Sequence, residues 1–275
     1  MLSVENSFVF IMEVYPYFNT NPLKSIQFNF YETISRYHYI ILATGKYVTF
    51  NQIKMAIYAT YLTNYYGFKL RGITDAKIRK ESRIQYATKL LGKLNININV
   101  INKEKLPQDG QFLLVSNHRS VIDPLIIEMA TKDTELYGNW IAKKELYNSF
   151  FFGVFVRNSG TVLLDRDSSQ MGGFFSDIKA CVKNGESIYI FPEGTRNKGE
   201  EEIGEFKEGS RIIAVKNRLP MLPVFIKSQA NDALMSSLKD ERKQRTIDIE
   251  VGDIIDYKDK SMTLEEAYKK QFNIS

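Results

Sequence analysis

Ser116-Asn117-His118-Arg119-Ser120-Val121-Ile122-Asp123-Pro124 is the stretch on which the fold prediction turns. The apolar run before it, residues 112–115, predicts a buried strand, and the apolar run after it, residues 125–130, predicts a helix. Asp123 suits the cap of that helix, and Pro124 suits its first position, where a missing N–H costs nothing. His118 is therefore expected in a tight strand-to-helix loop that can turn the Asp123 carboxylate back to the imidazole. Such a pair fixes the ring tautomer and leaves the other ring nitrogen free as a general base.

Taken alone, this pair is an ambiguous signal, because an aspartate at a helix start is commonly only a cap. The chain contains two histidines, His38 and His118, so few residues can supply an imidazole base. Histidine and cysteine are too few and too scattered for a zinc site. The single cysteine, Cys181, rules out an intramolecular disulfide framework and favours a reducing compartment. Its helical spacing with apolar neighbours predicts core filling and not a nucleophile.

Length and charge narrow the class of protein. A chain of 275 residues with 44% hydrophobic residues fits one large domain, or a domain with a small attachment. The net charge of +5 is uneven: residues 1–100 hold 12 Lys and Arg against 5 Asp and Glu, and the remainder has a small negative excess. A basic, aromatic-rich front part suits phospholipid head groups better than nucleic acid, although a solvated basic face is the plain alternative. We see no signal peptide and no apolar run long enough to span a membrane.

The order of the patterns predicts two regions. Residues 1–94 hold two aromatic, apolar segments, at 37–44 and 52–66, and a basic helix at 75–94, which together predict a membrane-docking helical region. Burial of the two aromatic segments in the core is the alternative. Residues 95–275 alternate strand and helix patterns, which predicts an α/β fold with a central mixed sheet flanked by helices. Predicted strands cover residues 95–100, 112–115, 140–142, 161–164, 187–191 and 222–226, with an edge strand at 246–251. Predicted helices cover residues 168–183 and 207–216, with a charged surface helix at 263–272.

Cationic side chains lie in loops at the ends of the predicted strands, where binding sites form in such sheets. Arg166 follows one strand, Arg196 follows another, and Lys207 opens a helix. Arginine forks match a phosphate bidentately, and a lysine adds a point charge. Gly194 allows close approach of the backbone to a ligand, and Thr195 offers a hydroxyl. These residues predict a phosphate-binding pocket, and isolated surface salt bridges are the alternative for each arginine.

Four blocks occur in an order that resembles a known family. They are Asn117-His118-Arg119-Ser120-Val121-Ile122-Asp123, Gly160-Thr161-Val162-Leu163-Leu164-Asp165-Arg166, Phe191-Pro192-Glu193-Gly194-Thr195-Arg196 and Leu219-Pro220-Met221-Leu222-Pro223-Val224. Over about residues 95–250 the chain resembles the bacterial 1-acyl-glycerol-3-phosphate acyltransferases, the glycerolipid acyltransferases with a His-x4-Asp motif. One such block is weak, but four in order are specific.

The resemblance implies transfer of a fatty acyl group from a thioester to 1-acyl-glycerol-3-phosphate, giving phosphatidic acid in phospholipid biosynthesis. It implies His118 as catalytic base and Asp123 as the group that orients it. The substrate-binding set that it implies is Arg166, Glu193, Gly194, Thr195, Arg196 and Lys207. Within that set we expect Glu193 to organise its loop more than to titrate.

The same resemblance implies no metal and no cofactor beyond the donor substrate, which is acyl-CoA or acyl-carrier protein. Expected partners are the lysophospholipid, the acyl thioester, the membrane surface and, where it carries the donor, the acyl-carrier protein, but no nucleic acid. The expected location is the cytoplasmic face of the membrane, as a peripheral or monotopic protein.

Three alternatives remain at this point. The acceptor could be another lysolipid, such as a lyso-aminolipid. A lipid hydrolase could use Ser116 or Ser120 with His118, although no Gly-x-Ser-x-Gly elbow is present. A non-enzymatic membrane-binding module could rely on the basic front part alone.

Overall fold

The computed structural model describes residues 49–166 and 171–274. The helices of these ranges are α1 (Phe50–Lys69), α2 (Ala76–Lys93), α3 (Asp123–Ala130), α4 (Gly153–Asn158), α5 (Gly172–Lys183), α6 (Gly209–Asn217), α7 (Ala230–Lys239) and α8 (Leu264–Phe272). The strands are β1 (Ile96–Ile101), β2 (Leu113–Ser116), β3 (Gly138–Lys143), β4 (Val162–Leu164), β5 (Ser187–Ile190), β6 (Met221–Ile226) and β7 (Arg245–Val251). The second predicted apolar segment is α1, whereas the first, at 37–44, lies outside the described residues.

The strands form one seven-stranded sheet in the order β1-β7-β6-β2-β5-β3-β4. Neighbouring strands are parallel except β6 and β7, which run antiparallel with Val224 opposite Val251. β2 is central, and its Leu113 pairs with Ile188 of β5 and with Met221 of β6. The predicted mixed α/β sheet is confirmed. Because the carboxyl ends of parallel strands meet at one edge, the loops after β2, β3, β4 and β5 converge there.

Each face of the sheet buries its own core, because successive side chains of a strand point to opposite faces. Leu114 of β2 joins a cluster with α1, α2, α3 and α7, whereas Leu113 and Val115 join a second cluster with α5, α6 and α8. Cys181 packs against the second cluster, in agreement with core filling.

Helices α1 and α2 belong to the first of these cores. α1 begins at Thr49 with a capping box, and α2 begins after Asp75, whose side chain accepts hydrogen bonds from the next turn. Met55 and Leu90 lie in the same cluster as Leu114. A division of the chain into residues 1–94 and 95–275 stays a prediction. Over the described ranges, no helix combines the length and the apolar character that crossing a membrane requires.

For the C-terminal part, the predicted edge position of one strand was wrong, and the description of one helix was incomplete. β7 is not an edge strand, because β1 pairs parallel with it along Ile96–Ile101 and covers its outer side. Alternation reports that one face is buried, and it says nothing of a strand's place in the sheet. α8 exists as predicted but is more than a surface helix, since Leu264, Tyr268 and Phe272 bury one face of it.

Candidate active site

The loop between β2 and α3 folds around the carboxylate of Asp123. Asp123 Oδ2 accepts hydrogen bonds from His118 Nδ1 at 2.8 Å and from the backbone N–H groups of Arg119 and Ser120, each at 2.7 Å. Its side chain is 0% exposed. Three donors converging on one oxygen fix the carboxylate, and through it the imidazole, in one geometry. The predicted His118–Asp123 contact is therefore present in the structure.

The predicted helix cap was wrong by one residue. α3 begins at Asp123 itself, Ile122 occupies the N-cap position, and Pro124 lies in the first turn. The Asp123 side chain reaches back into the loop and does not cap the helix ahead of it, because the imidazole and two loop N–H groups converge on its oxygen.

His118 is held through its backbone as well as its ring. Its N–H donates to Glu193 Oε1 at 2.7 Å, and its carbonyl oxygen accepts from the Asn197 N–H at 2.6 Å. The ring lies on that of Phe191, with centroids 4.0 Å apart and planes 10° apart. Since Nδ1 donates to a carboxylate oxygen, Nε2 carries the lone pair in the neutral ring. The side chain is 18% exposed, so this nitrogen is suited to take a proton from a ligand.

Asn117 anchors the same loop to β6. Its amide donates to the Ile226 carbonyl oxygen at 3.1 Å and accepts from the Ile226 N–H at 2.8 Å, which continues the β2–β6 pairing past the end of β2. Its backbone N–H donates to the Tyr268 hydroxyl at 3.3 Å, and that hydroxyl donates to the Val224 carbonyl oxygen at 2.8 Å. The C-terminal helix thus supports the loop that carries His118, a contribution that the sequence patterns did not reveal.

His118 lines a cavity of about 850 Å³ at the edge of the sheet where the loops converge. All six predicted substrate-binding residues line the same cavity: Arg166, Glu193, Gly194, Thr195, Arg196 and Lys207. A second part of its wall is apolar and includes Met55, Ala59, Leu90, Leu94, Leu125, Phe152, Leu234 and Leu238. The arrangement suits a ligand with an anionic head and a long apolar tail.

Lys143, at the end of β3, is a cavity residue that the predicted set did not include. Burial lowers the pKa of its ammonium group, and the positive charges of Arg166 and Arg196 lower it further. Three cations therefore lie near one another, which favours binding of a doubly charged anion such as a phosphate monoester. The available signal was its place in Ala142-Lys143-Lys144, a cation at a strand end next to the predicted site.

The turn at Gly194 holds Arg166 at the cationic wall of the cavity. Gly194 has φ +70°, in the left-handed region that favours glycine, and its N–H donates to the Phe191 carbonyl oxygen at 2.9 Å. Arg166 Nη2 donates to the Gly194 carbonyl oxygen. Lys207 is exposed and pairs with Glu205 at 2.9 Å. The guanidinium of Arg166 is thus held at the turn, while Lys207 stays at the solvent side.

Glu193 uses both carboxylate oxygens inside the protein. Oε1 accepts from the His118 N–H at 2.7 Å, and Oε2 accepts from the Gly204 N–H at 2.8 Å. It lines the cavity but is 95% hidden from solvent, at 5% exposure. These contacts connect Glu193 to the loop that carries His118 and to Gly204, so its expected role in organising the Gly194–Arg196 loop and a direct contact with substrate both stay predictions. Burial raises the pKa of Glu193 from 4.5 to about 7, although its two backbone N–H partners lower it.

This raised pKa predicts a pH-dependent stability difference. Between about pH 4.5 and 7 the folded protein holds a proton on Glu193 that the unfolded chain releases, so this group's contribution to stability falls as the pH rises. Glu193→Gln is neutral throughout. Urea unfolding at pH 5, 6, 7 and 8 should show the wild type losing free energy of unfolding relative to Glu193→Gln as pH rises. A difference that is the same at all four pH values would contradict the raised pKa.

The candidate hydrolase serines are not placed as nucleophiles. Ser116 and Ser120 are both 0% exposed. The Ser116 hydroxyl donates to the Asn117 carbonyl oxygen at 3.3 Å, and the Ser120 hydroxyl accepts from the Ile122 N–H at 3.5 Å. Within residues 49–166 and 171–274, no group of three or more His, Cys, Asp or Glu side chains could hold a metal ion.

Comparison with known proteins identifies the region of the chain that contains these motifs. The sequence model of the Acyltransferase family matches residues 97–227, which include His118, Asp123 and the Gly194 turn. The chain is 37% identical over 131 residues to the 1-acyl-sn-glycerol-3-phosphate acyltransferase of Helicobacter pylori, an alignment covering 46% of this chain and 53% of that one. It is 29% identical over 171 residues to the protein of the same name from Streptococcus pneumoniae, covering 62% and 60%. The chain thus spans between half and two thirds of the length of these curated relatives.

A solved structure shares the fold. The 1-acyl-sn-glycerophosphate (LPA) acyltransferase PlsC from Thermotoga maritima superposes with a TM-score of 0.56 at 22% identity, covering 88% of this chain and 91% of that one. Residues 97–227, which match the family model, contain the central strands and the His118–Asp123 loop. Over residues 97–227 the chain therefore resembles the Acyltransferase family model and these named acyltransferases in sequence.

Proposed function

We propose that this protein moves a fatty acyl group from an acyl thioester to the free hydroxyl of 1-acyl-glycerol-3-phosphate, giving phosphatidic acid. The observation that carries the proposal is the His118–Asp123 pair, at 2.8 Å, in a cavity with cations on one wall and apolar side chains on another. The names of the similar proteins from Helicobacter pylori and Streptococcus pneumoniae support the same acceptor.

The proposed reaction uses one proton relay. His118 Nε2 takes the proton from the acceptor hydroxyl as its oxygen attacks the thioester carbonyl carbon. Asp123 stabilises the imidazolium that forms, through the Nδ1 hydrogen bond. When the tetrahedral intermediate collapses, the carbon–sulfur bond breaks and the imidazolium returns the proton to the leaving thiolate. The products are the new ester and the free thiol, with His118 neutral again.

The two kinds of cavity wall would place the substrates. Lys143, Arg166 and Arg196 would hold the acceptor phosphate, since planar guanidinium groups match its oxygens bidentately. The apolar wall would hold the fatty chains. Holding both reactants at His118 makes the transfer effectively unimolecular, which supplies a large part of the rate. Either acyl-CoA or an acyl-carrier protein would serve as donor, without a metal or further cofactor.

The purified enzyme should be assayed with a panel of acceptors and both donors. We expect 1-acyl-glycerol-3-phosphate to give the highest kcat/KM, because three neighbouring cations suit a phosphate monoester. A higher kcat/KM with a lyso-aminolipid would identify the alternative acceptor of the same family. Release of free fatty acid without ester formation, together with a trapped acyl-serine, would identify a hydrolase.

Arg196→Ala tests the phosphate role directly. A charge-assisted hydrogen bond contributes about 1.5–3 kcal/mol, so we expect the acceptor KM to rise by about 10- to 100-fold while the donor KM changes little. Arg242→Ala is the matched control, because Arg242 is a solvent-exposed arginine outside the cavity and pairs with Asp240. If the donor KM rises instead, Arg196 belongs to the donor site.

We further propose that the protein lies on the membrane surface through α1, at the cytoplasmic face, as a peripheral or monotopic protein. Ile57, Tyr61, Tyr65 and Phe68 lie along one side of α1 and are 48–66% exposed. Large apolar and aromatic side chains at this spacing, followed by Lys69 and Arg71, suit the boundary of an anionic bilayer.

A flotation experiment tests the membrane proposal. With vesicles containing phosphatidylglycerol, Tyr61→Ser/Phe68→Ser should lower the bound fraction several-fold, and added salt should weaken wild-type binding. Ile254→Ser is the control, since Ile254 is an exposed apolar residue outside α1. Equal losses in the control and the α1 variant would count against a docking role for this helix.

A further inference from the structure

We propose that Glu128 is a positioning residue for His118, acting through Trp140 and Phe191; the inference rests on the proposed base role of His118. Glu128 lies on α3, the same helix that supplies Asp123, and is about 3% exposed. Its Oε1 accepts a hydrogen bond from Trp140 Nε1 at 2.9 Å. The sequence motifs assign no role to either residue.

A stack of three rings connects this hydrogen bond to the base. The Trp140 ring lies on Phe191 with centroids 5.1 Å apart and planes 25° apart. Phe191 in turn lies on the His118 ring at 4.0 Å and 10°. Trp140, Phe191 and His118 all line the cavity, so the stack borders the space in which the substrates would bind.

Asp123 and this stack constrain the imidazole in different ways. A hydrogen bond to Nδ1 limits rotation of the ring within its own plane, but it leaves the ring able to tilt about that bond. Contact with the face of Phe191 limits the tilt, because aromatic rings at this separation resist loss of their packing. Phe191 is itself steady only if Trp140 behind it is steady. The short helix α3 therefore sets both constraints, one through Asp123 and one through Glu128.

Arg83 holds Glu128 in place. Arg83 Nε donates to Glu128 Oε1 at 2.6 Å, and its two Nη groups donate to the carbonyl oxygens of Ser159 at 3.0 Å and Gly138 at 2.9 Å. The arginine is about 3% exposed, and each of its three guanidinium nitrogens donates to an acceptor in the protein. A buried pair replaced by apolar residues is often neutral for stability, whereas one broken on one side costs several kcal/mol. Stability alone therefore need not account for this pair, and holding the Trp140 N–H is a role that the contacts allow.

The test removes the pair as a unit. Arg83→Met/Glu128→Leu leaves no lone buried charge, so the variant is expected to fold. Its melting temperature should fall, because the carbonyl oxygens of Ser159 and Gly138 and the Trp140 N–H lose their partners. We expect kcat to fall by about 5- to 20-fold, with the KM of each substrate within about two-fold, because the ring orientation changes while the cavity wall remains. Trp140 is the only tryptophan of the chain, so its emission spectrum should shift in this variant and report the altered stack.

Two further variants separate positioning from a general loss of stability. Trp140→Phe removes the indole N–H, so adding it to the double variant should cause less further loss in kcat than it causes in the wild type. Ile247→Val removes a buried methyl group from β7 at a residue that does not line the cavity, and it should lower the melting temperature without lowering kcat.

The outcomes are distinct. A folded double variant with wild-type kcat, or losses that simply multiply when Trp140→Phe is added, would overturn the role of Glu128. Absence of acyl transfer in the wild type would instead overturn the proposed function. Should the double variant fail to fold, a comparison of the two single variants Trp140→Phe and Glu128→Gln decides the matter. Glu128→Gln keeps an acceptor oxygen for the Trp140 N–H but removes the charge that pairs with Arg83, so stability should fall while kcat per folded molecule stays near the wild-type value. Trp140→Phe should lower kcat per folded molecule by about 5- to 20-fold, and an equal loss in both contradicts the proposal.

Discussion

Replacing His118 by alanine is expected to lower kcat by about 100- to 10,000-fold, the range that a positioned general base contributes. The expected loss is large because His118 is the imidazole that the cavity presents, with Nδ1 held by Asp123 and Nε2 left to take the proton. Radiolabelled acyl transfer under saturating donor and acceptor measures kcat. Substrate KM values should change much less, because the cations and the apolar wall remain.

Folding controls make this result interpretable. His118 is part-exposed at the cavity wall, and its backbone contacts to Glu193 and Asn197 do not involve the side chain. His118→Ala should therefore keep a cooperative thermal transition and bind phosphatidylglycerol vesicles as the wild type does. Turnover within about ten-fold of the wild type would rule out the base role. Loss of vesicle binding would point instead to a structural defect.

Asp123→Asn should give the second-largest effect, a fall in kcat of about 100-fold or more. An asparagine oxygen can replace Oδ2 for the N–H groups of Arg119 and Ser120, so the loop can keep its shape. The negative charge that stabilises the imidazolium is lost, and the barrier for proton removal rises. Asp123 Oδ1 is buried and has no hydrogen-bond partner among the described residues. In Asp123→Asn the amide nitrogen takes the place of Oδ1 and finds no acceptor there, so a moderate fall in melting temperature is also expected.

Comparing the effect of Asp123→Asn on kcat with its effect on the melting temperature distinguishes a catalytic role from a purely structural one. If Asp123 acted only as a structural residue at a helix start, Asp123→Asn would lower the melting temperature and leave kcat per folded molecule near the wild-type value. Asp75→Asn offers a matched control, because Asp75 caps α2 through its side chain and lies outside the cavity. We expect its kcat to be unchanged. Equal effects of the two variants on kcat would remove the special role of Asp123.

Much of the candidate site could be predicted because its signals are local. His118 and Asp123 lie on one loop, and a strand followed by a helix allows little freedom in how that loop turns. Arg166 and Arg196 each follow a strand, and parallel strands bring their ends to one edge. These residues were therefore expected together, and the structure places them along one cavity.

Features that depend on distant parts of the chain were missed. The place of β7 inside the sheet depends on β1 pairing with it, which alternation of polar and apolar residues does not encode. Tyr268 supports the Asn117 backbone from a helix more than a hundred residues away in sequence, and a charged amphipathic pattern gave no hint of it. Lys143 was visible as a cation at a strand end, but its neighbours became clear only from the fold.

By itself, the sequence determined the α/β class, the acyltransferase motifs and the residues of the His118–Asp123 pair, because these follow from short-range periodicity and spacing. Only the tertiary structure decided the strand order, the apolar wall shared by α1, α2 and α7, and the ring stack from Trp140 to His118. The physical reason is that hydrophobic burial is nondirectional and is satisfied by many pairings of elements. Which of them meet is settled by the packing of the whole chain, and a local pattern contains no record of that choice.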